Sequence, residues 1–114
     1  MSFKGKHLEE DIKREISYII RNLKNSSLKS KHVNLVKVKV NGGFVKVYVS
    51  SLKGLMYAKQ SIKCLNNALG FIRHELSKNL RLKKAPEIKF IADESLEYLK
   101  HLDELFLKIE KKRV

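Results

Sequence analysis

The chain has 114 residues with a net charge of +13, 43% hydrophobic residues, no tryptophan, one proline and one cysteine. That length supports one domain with one modest core, and the composition excludes extensive disorder, an internal disulfide and, since no apolar run approaches about 20 residues, a membrane-spanning helix. Cys64 alone suits a reducing compartment, and Glu9, Glu10 and Asp11 arrive before any signal or transit pattern can form, so the expected location is the cytoplasm.

The charge is concentrated. Between Ile16 and His74 there is no aspartate or glutamate, while Arg21, Lys24, Lys29, Lys31, Lys37, Lys39, Lys46, Lys53, Lys59, Lys63 and Arg73 all fall there. A solvated lysine-rich surface would produce the same composition. A polyanion partner accounts for it better, because exposed cations gain affinity by releasing counterions condensed on phosphates.

Leu8, Ile12, Ile16, Ile19, Ile20 and Leu23 recur at helical spacing and predict an amphipathic helix over roughly residues 7–24, ended by Asn25-Ser26-Ser27. Residues 29–32 read as a basic loop. Residues 33–40 and 44–50 are β-branched and alternating, and Asn41-Gly42-Gly43 between them signals a hairpin. The alternation predicts Val36, Val38, Val40, Val45, Val47 and Val49 toward the core, with Lys37, Lys39, Lys46 and Tyr48 outward. That outer face is either a solvated antiparallel surface or one that touches RNA, and the residues alone leave both open.

Residues 51–57, with Gly54, form a connection. Ala58, Ile62, Leu65, Leu69, Ile72, Leu76 and Leu80 then predict a helix of about six turns from Ala58 to Leu80. Gly70 sits in its middle and costs roughly 1 kcal/mol relative to alanine there, which points to a kink or to the close approach of another backbone. Arg81-Leu82-Lys83-Lys84 places cations at the helix C-terminus. Pro86 opens a short strand, 87–91. Asp93 is the candidate N-cap of a last helix whose apolar side is Leu96, Leu99, Leu102, Leu105, Phe106 and Ile109, and residues 110–114 form a fraying basic end. The order α-β-β-α-β-α predicts an α+β fold, a three-stranded sheet with helices on one face.

No converging set of catalytic side chains is evident. Cys64 and His74 lie ten residues apart on one helix, His7, His32, His74 and His101 lack ligand spacing, and no phosphate-cradling glycine loop follows a strand. The expectation is a non-enzyme with no metal, cofactor or small-molecule substrate. Cys64 reads as a small buried hydrophobe, the histidines as surface residues, and Tyr18, Tyr57 and Tyr98 as core edges. The seven-residue repeat in the long helix leaves a second possibility, a protein-interaction module pairing through that helix.

Leu65-Asn66-Asn67-Ala68-Leu69-Gly70-Phe71-Ile72-Arg73-His74-Glu75-Leu76, then Leu80-Arg81-Leu82-Lys83-Lys84-Ala85-Pro86-Glu87-Ile88-Lys89-Phe90 and Asp93-Glu94-Ser95, together resemble the ribosome-binding factor A family of bacterial small-subunit assembly factors. Val45-Lys46-Val47-Tyr48-Val49-Ser50 is similar to that family's second strand, and the likeness covers about residues 7–109. The resemblance implies one KH-like domain of type II, in which an Ala68-Leu69-Gly70 kink replaces the usual Gly-x-x-Gly loop and divides the helix into halves, roughly 58–68 and 71–80. It also implies a monomer that binds the immature small (30S) ribosomal subunit at its RNA-rich neck and assists 16S rRNA maturation, with importance in the cold. The residues expected to meet RNA are Arg73, Lys78, Arg81, Lys83 and Lys84, with Lys37, Lys39 and Lys46 as the sheet-face option. The hairpin departs from the family's Ser-Pro-Asp-Leu-like turn, and the family's extended C-terminal tail is not matched.

Overall fold

Two runs of β-branched residues joined by a tight glycine turn make the hairpin on which the rest of the chain packs. A computed structural model describes residues 6–23 and 33–113. Helix α1 (Lys6–Arg21) comes first, then β1 (Val33–Asn41) and β2 (Phe44–Ser51). Helices α2 (Leu55–Asn67) and α3 (Leu69–Asn79) lead to β3 (Glu87–Ala92), and α4 (Ser95–Arg113) ends the described chain. Asn41 pairs with Phe44 across the turn, where Gly42 takes the left-handed φ of 61°. β2 is the central strand, antiparallel to β1 and parallel to β3. The parallel pair requires a crossover, which α2 and α3 supply.

The inward pattern differs from strict alternation in β1. Val36 is exposed, whereas Leu35 and Val38 are buried. The register shifts between Leu35 and Lys37, so an extra residue bulges out of the ladder there. A bulge moves every later side chain to the opposite face, which is why Val36 does not point inward as expected while Val38 does. Lys37, Lys39 and Lys46 do face outward.

The core joins Ile12, Ile16 and Ile19 of α1, Leu65 of α2, and Ile72 and Leu76 of α3 to Val45, Val47, Val49, Ile88 and Phe90 of the sheet. α1 lies against β1 and α3, and α2 lies against β2 and β3. The Glu9 carboxylate also accepts the Val40 N–H at 2.9 Å, occupying a donor on an edge strand.

α4 does not extend this core. Leu99, Leu105, Phe106 and Ile109 are exposed, and Leu102 is half-buried. The side chain of Leu96 lies outside the described residues. The helix runs through Arg113 rather than fraying from Glu110, as a stretch of good helix formers without glycine or proline should. Asp93 marks its start by accepting the Ser95 hydroxyl at 2.7 Å and the Ser95 N–H at 3.0 Å. The hydroxyl contact is the chief cause holding the Asp93 carboxyl below its ordinary pKa.

The long helix begins at Leu55, earlier than Ala58, because Gly54 (φ 123°) turns the chain directly out of β2. It breaks at Ala68, where φ is −99° and ψ is 10°. The Ala68 N–H bonds back to Leu65 O at 3.1 Å, tightening the last turn of α2, and Ala68 O accepts Ile72 N–H at 2.9 Å to begin α3. Leu69 and Gly70 are already helical, so the hinge is Ala68 rather than the whole triplet. A Cβ on Gly70 would meet nothing within 4 Å, so no neighbouring backbone of this chain accounts for the glycine. Gly70→Ala should therefore raise unfolding stability by up to about 1 kcal/mol in thermal or denaturant melts. A destabilised variant would show that the bend itself requires glycine.

Candidate nucleic-acid interface

The end of α3 is shaped by three hydrogen bonds. Leu80 N–H reaches Leu76 O at 3.0 Å, Arg81 N–H reaches Lys78 O at 3.3 Å, and Leu82 N–H reaches Ser77 O at 2.9 Å. This is a Schellman-type ending, with half-buried Leu82 packed back on the core. The residue in the left-handed position is Arg81, with φ 54°, where glycine would be free of strain. A side chain there costs roughly 1–2 kcal/mol. The turn leaves Lys78, Arg81, Lys83 and Lys84 exposed on consecutive parts of one corner.

Arg73 behaves differently from these four. Its Nε donates to Pro86 O at 2.8 Å, and its Nη2 donates to Ala85 O at 3.4 Å and pairs with Glu87 Oε1 at 3.3 Å. The guanidinium thus clamps residues 85–87 to α3. Glu87 N–H in turn donates to Gly43 O at 2.9 Å, which pins the same segment beside the hairpin turn. A cavity of about 250 Å³ between them is lined by Leu8, Val40, Gly43, Leu82, Lys84 and Pro86. The loop that carries Lys83 and Lys84 is therefore held at the hairpin end of the sheet.

The open sheet face presents the other cations. Lys39 lies opposite Lys46, and Lys46 lies opposite Lys89. Lys37 sits over the Tyr48 ring, 4.7 Å from its centroid. Lys39, Asn41, Phe44, Lys46 and Tyr48 line a shallow depression of about 270 Å³. Alternation alone places Lys89 on the outer side of its strand, but its position beside Lys46 depends on the parallel register, which no local pattern encodes. Among the described residues the ion pairs are Arg14–Asp11 and Arg73–Glu87, so Lys39, Lys46, Lys78, Arg81, Lys83, Lys84 and Lys89 have no ion-pair partner there, while the Lys37 charge helps to hold the Asp93 carboxyl down.

The remaining reactive groups are scattered. Cys64 is half-buried against the core, and His74 and His101 are exposed. Tyr18 and Tyr57 are exposed rather than at core edges. His32 and the side chains of His7 and Tyr98 lie outside the described residues. Among the described residues no three His, Cys, Asp or Glu side chains gather as a metal site, and no helix is long and apolar enough to cross a membrane.

The family model described as ribosome-binding factor A matches residues 4–106. A ribosome-binding factor A from Desulfitobacterium hafniense is 41% identical over 103 residues, covering 90% of this chain and 82% of the relative. The solution structure of a Thermotoga maritima protein is 35% identical and superposes with a TM-score of 0.67 over 74% of this chain and 81% of that one. Coordinates of the Thermus thermophilus ribosome binding factor A, fitted into a cryo-EM map of its complex with the 30S particle, share 18% identity. They superpose with a TM-score of 0.63 over 80% of this chain and 97% of that one.

The strained corner yields a direct test. Arg81→Gly should raise stability by roughly 1 kcal/mol while eluting earlier from an immobilised polyanion such as heparin. A variant that melts lower would show that Arg81 makes a folded-state contact worth more than its backbone strain.

Proposed function

The chain belongs to the ribosome-binding factor A family, and on that premise we propose that it is a cytoplasmic, non-catalytic assembly factor, a monomer with one KH-like domain. In this reading it binds the immature small ribosomal subunit and assists maturation of 16S rRNA. The observation that carries the reading is the corner formed by Lys78, Arg81, Lys83 and Lys84, exposed cations without carboxylate partners, one of them in a conformation that costs stability. Strain of that kind is held here by the hydrogen bonds of the helix ending, and it clusters at sites where a partner makes use of the side chain.

The related Thermus protein fitted into a map with the 30S particle supports the choice of partner. Arg73 contributes by holding residues 85–87, and so presents Lys83 and Lys84 at a fixed position. The break at Ala68, followed by Leu69 and Gly70, takes the place of the phosphate-gripping loop of KH domains. The open space beside Gly70 lets an RNA backbone come close. Contacts of this type position the protein on phosphates and read little sequence. A role that grows in the cold fits such a factor, since misfolded RNA rearranges more slowly at low temperature.

Pairing through the long helix is less well supported, because Leu65, Ile72 and Leu76 of its apolar stripe are already fully buried in the core.

Binding to purified small subunits, measured across a salt series, tests the proposal. The protein should sediment with free small subunits, and its affinity should fall steeply as salt rises. The Lys83→Ala/Lys84→Ala variant should flatten the log–log slope by about 1.4–1.8. Affinity that does not change between low and physiological salt would contradict an electrostatic grip on RNA.

A further inference from the structure

The open sheet face has an arrangement that folding alone does not favour. Lys39, Lys46 and Lys89 form a row running straight across three strands. At about 4.8 Å between strands, three ammonium-bearing side chains share a span of roughly 10 Å. Like charges directly opposite one another in a sheet are destabilising. Neither adjacent row neutralises them. One holds Asn41, Phe44 and Glu87, and Glu87 is engaged by Arg73. The other holds Lys37, Tyr48 and Ile91.

Two aromatic rings lie among these cations. Phe44 is 39% exposed on the solvent side of the sheet, and Tyr48 lies under the Lys37 ammonium. Both line the same shallow depression with Lys39 and Lys46. A broad, open sheet surface of this kind suits bases that are splayed out of a helix, because duplex bases hide their faces in the stack. Lysines alone would accept any polyanion; the interleaved rings favour nucleotides, whose bases stack on aromatic side chains while their phosphates meet the ammonium groups.

We propose that this face is a second RNA surface, separate from the corner at the end of α3, which holds an unpaired stretch of RNA with its phosphates on Lys39, Lys46 and Lys89 and its bases against Phe44 and Tyr48. The source of that RNA, the immature small subunit, rests on the function proposed above. The surface itself does not depend on that source. α1, α2 and α3 occupy the opposite face of the sheet, so both surfaces can be engaged at once.

Fluorescence anisotropy with a short single-stranded oligouridylate, a duplex of equal length and poly-glutamate, alongside small-subunit binding, tests this. Phe44→Ala should weaken the oligouridylate by about tenfold and the duplex much less. Lys46→Gln should lower the salt slope for the oligouridylate by about 0.7. The same variant should melt at an equal or higher temperature, by about 1–4 °C, because it relieves the row of like charges. Oligouridylate affinity unchanged in both variants would overturn the proposal. So would poly-glutamate binding as tightly as the oligouridylate and weakening in parallel on Phe44→Ala, since the surface would then be made for an acidic protein. A wild-type chain that binds oligouridylate through Phe44 but fails to bind small subunits supports the surface and overturns the ribosomal reading instead.

Discussion

The parallel pairing of β3 with β2 is the constraint on which the rest of the molecule depends. It buries Ile88 and Phe90 beside Val45 and Val47, and it obliges the chain between the strands to cross the sheet as α2 and α3. It also determines where the connection returns. With Glu87 N–H on Gly43 O, the α3–β3 loop must arrive at the hairpin end, and Lys83 and Lys84 arrive with it. The same register brings Lys89 level with Lys46. Each cationic surface thus depends in part on this one ladder of hydrogen bonds, the sheet row also needing the antiparallel pairing that sets Lys39 opposite Lys46.

Those surfaces are also where the sequence departs from what would be most stable. Arg81 takes a backbone conformation suited to glycine, and three lysines face one another across the sheet. Together these features cost on the order of 2 kcal/mol, set against a total stability of roughly 5–15 kcal/mol for a domain of this kind. The interior shows no comparable departure, since among the described residues no buried side-chain nitrogen or oxygen lacks a hydrogen-bond partner. Local rules broken on the surface and obeyed in the core are the pattern expected of a binding protein. A polyanion reverses the sign of the electrostatic cost, because the cations that repel each other in the free protein then share phosphate partners.

Much of the fold was legible in the sequence because period and punctuation are local signals. The element order, the glycine hairpin and the outward lysines of β1 and β2 all follow from them. Other features were hidden for physical reasons. A bulge at Val36 adds a residue without altering composition, so the alternation read across it went out of phase. The helix break lies at Ala68, the residue type least inclined to break a helix, while conspicuous Gly70 two residues later sits inside α3. The apolar stripe of α4 matches that of a core helix, yet most of its large side chains stay exposed. Arg73 and Lys89 have roles set by chain segments distant in sequence, so their neighbours alone could not show that one clamps a loop and the other completes a row of charge.

In the function proposed above, the cations gathered at the hairpin end of the sheet and at the end of α3 are the ones that meet small-subunit RNA. The most direct measurement is the chemical reactivity of each lysine, followed by mass spectrometry, with and without purified immature small subunits. Lys78, Lys83 and Lys84 should lose reactivity on binding, while Lys13 on α1 and Lys108 on α4 keep theirs. Protection of Lys13 and Lys108, with Lys78, Lys83 and Lys84 still fully reactive, would contradict it.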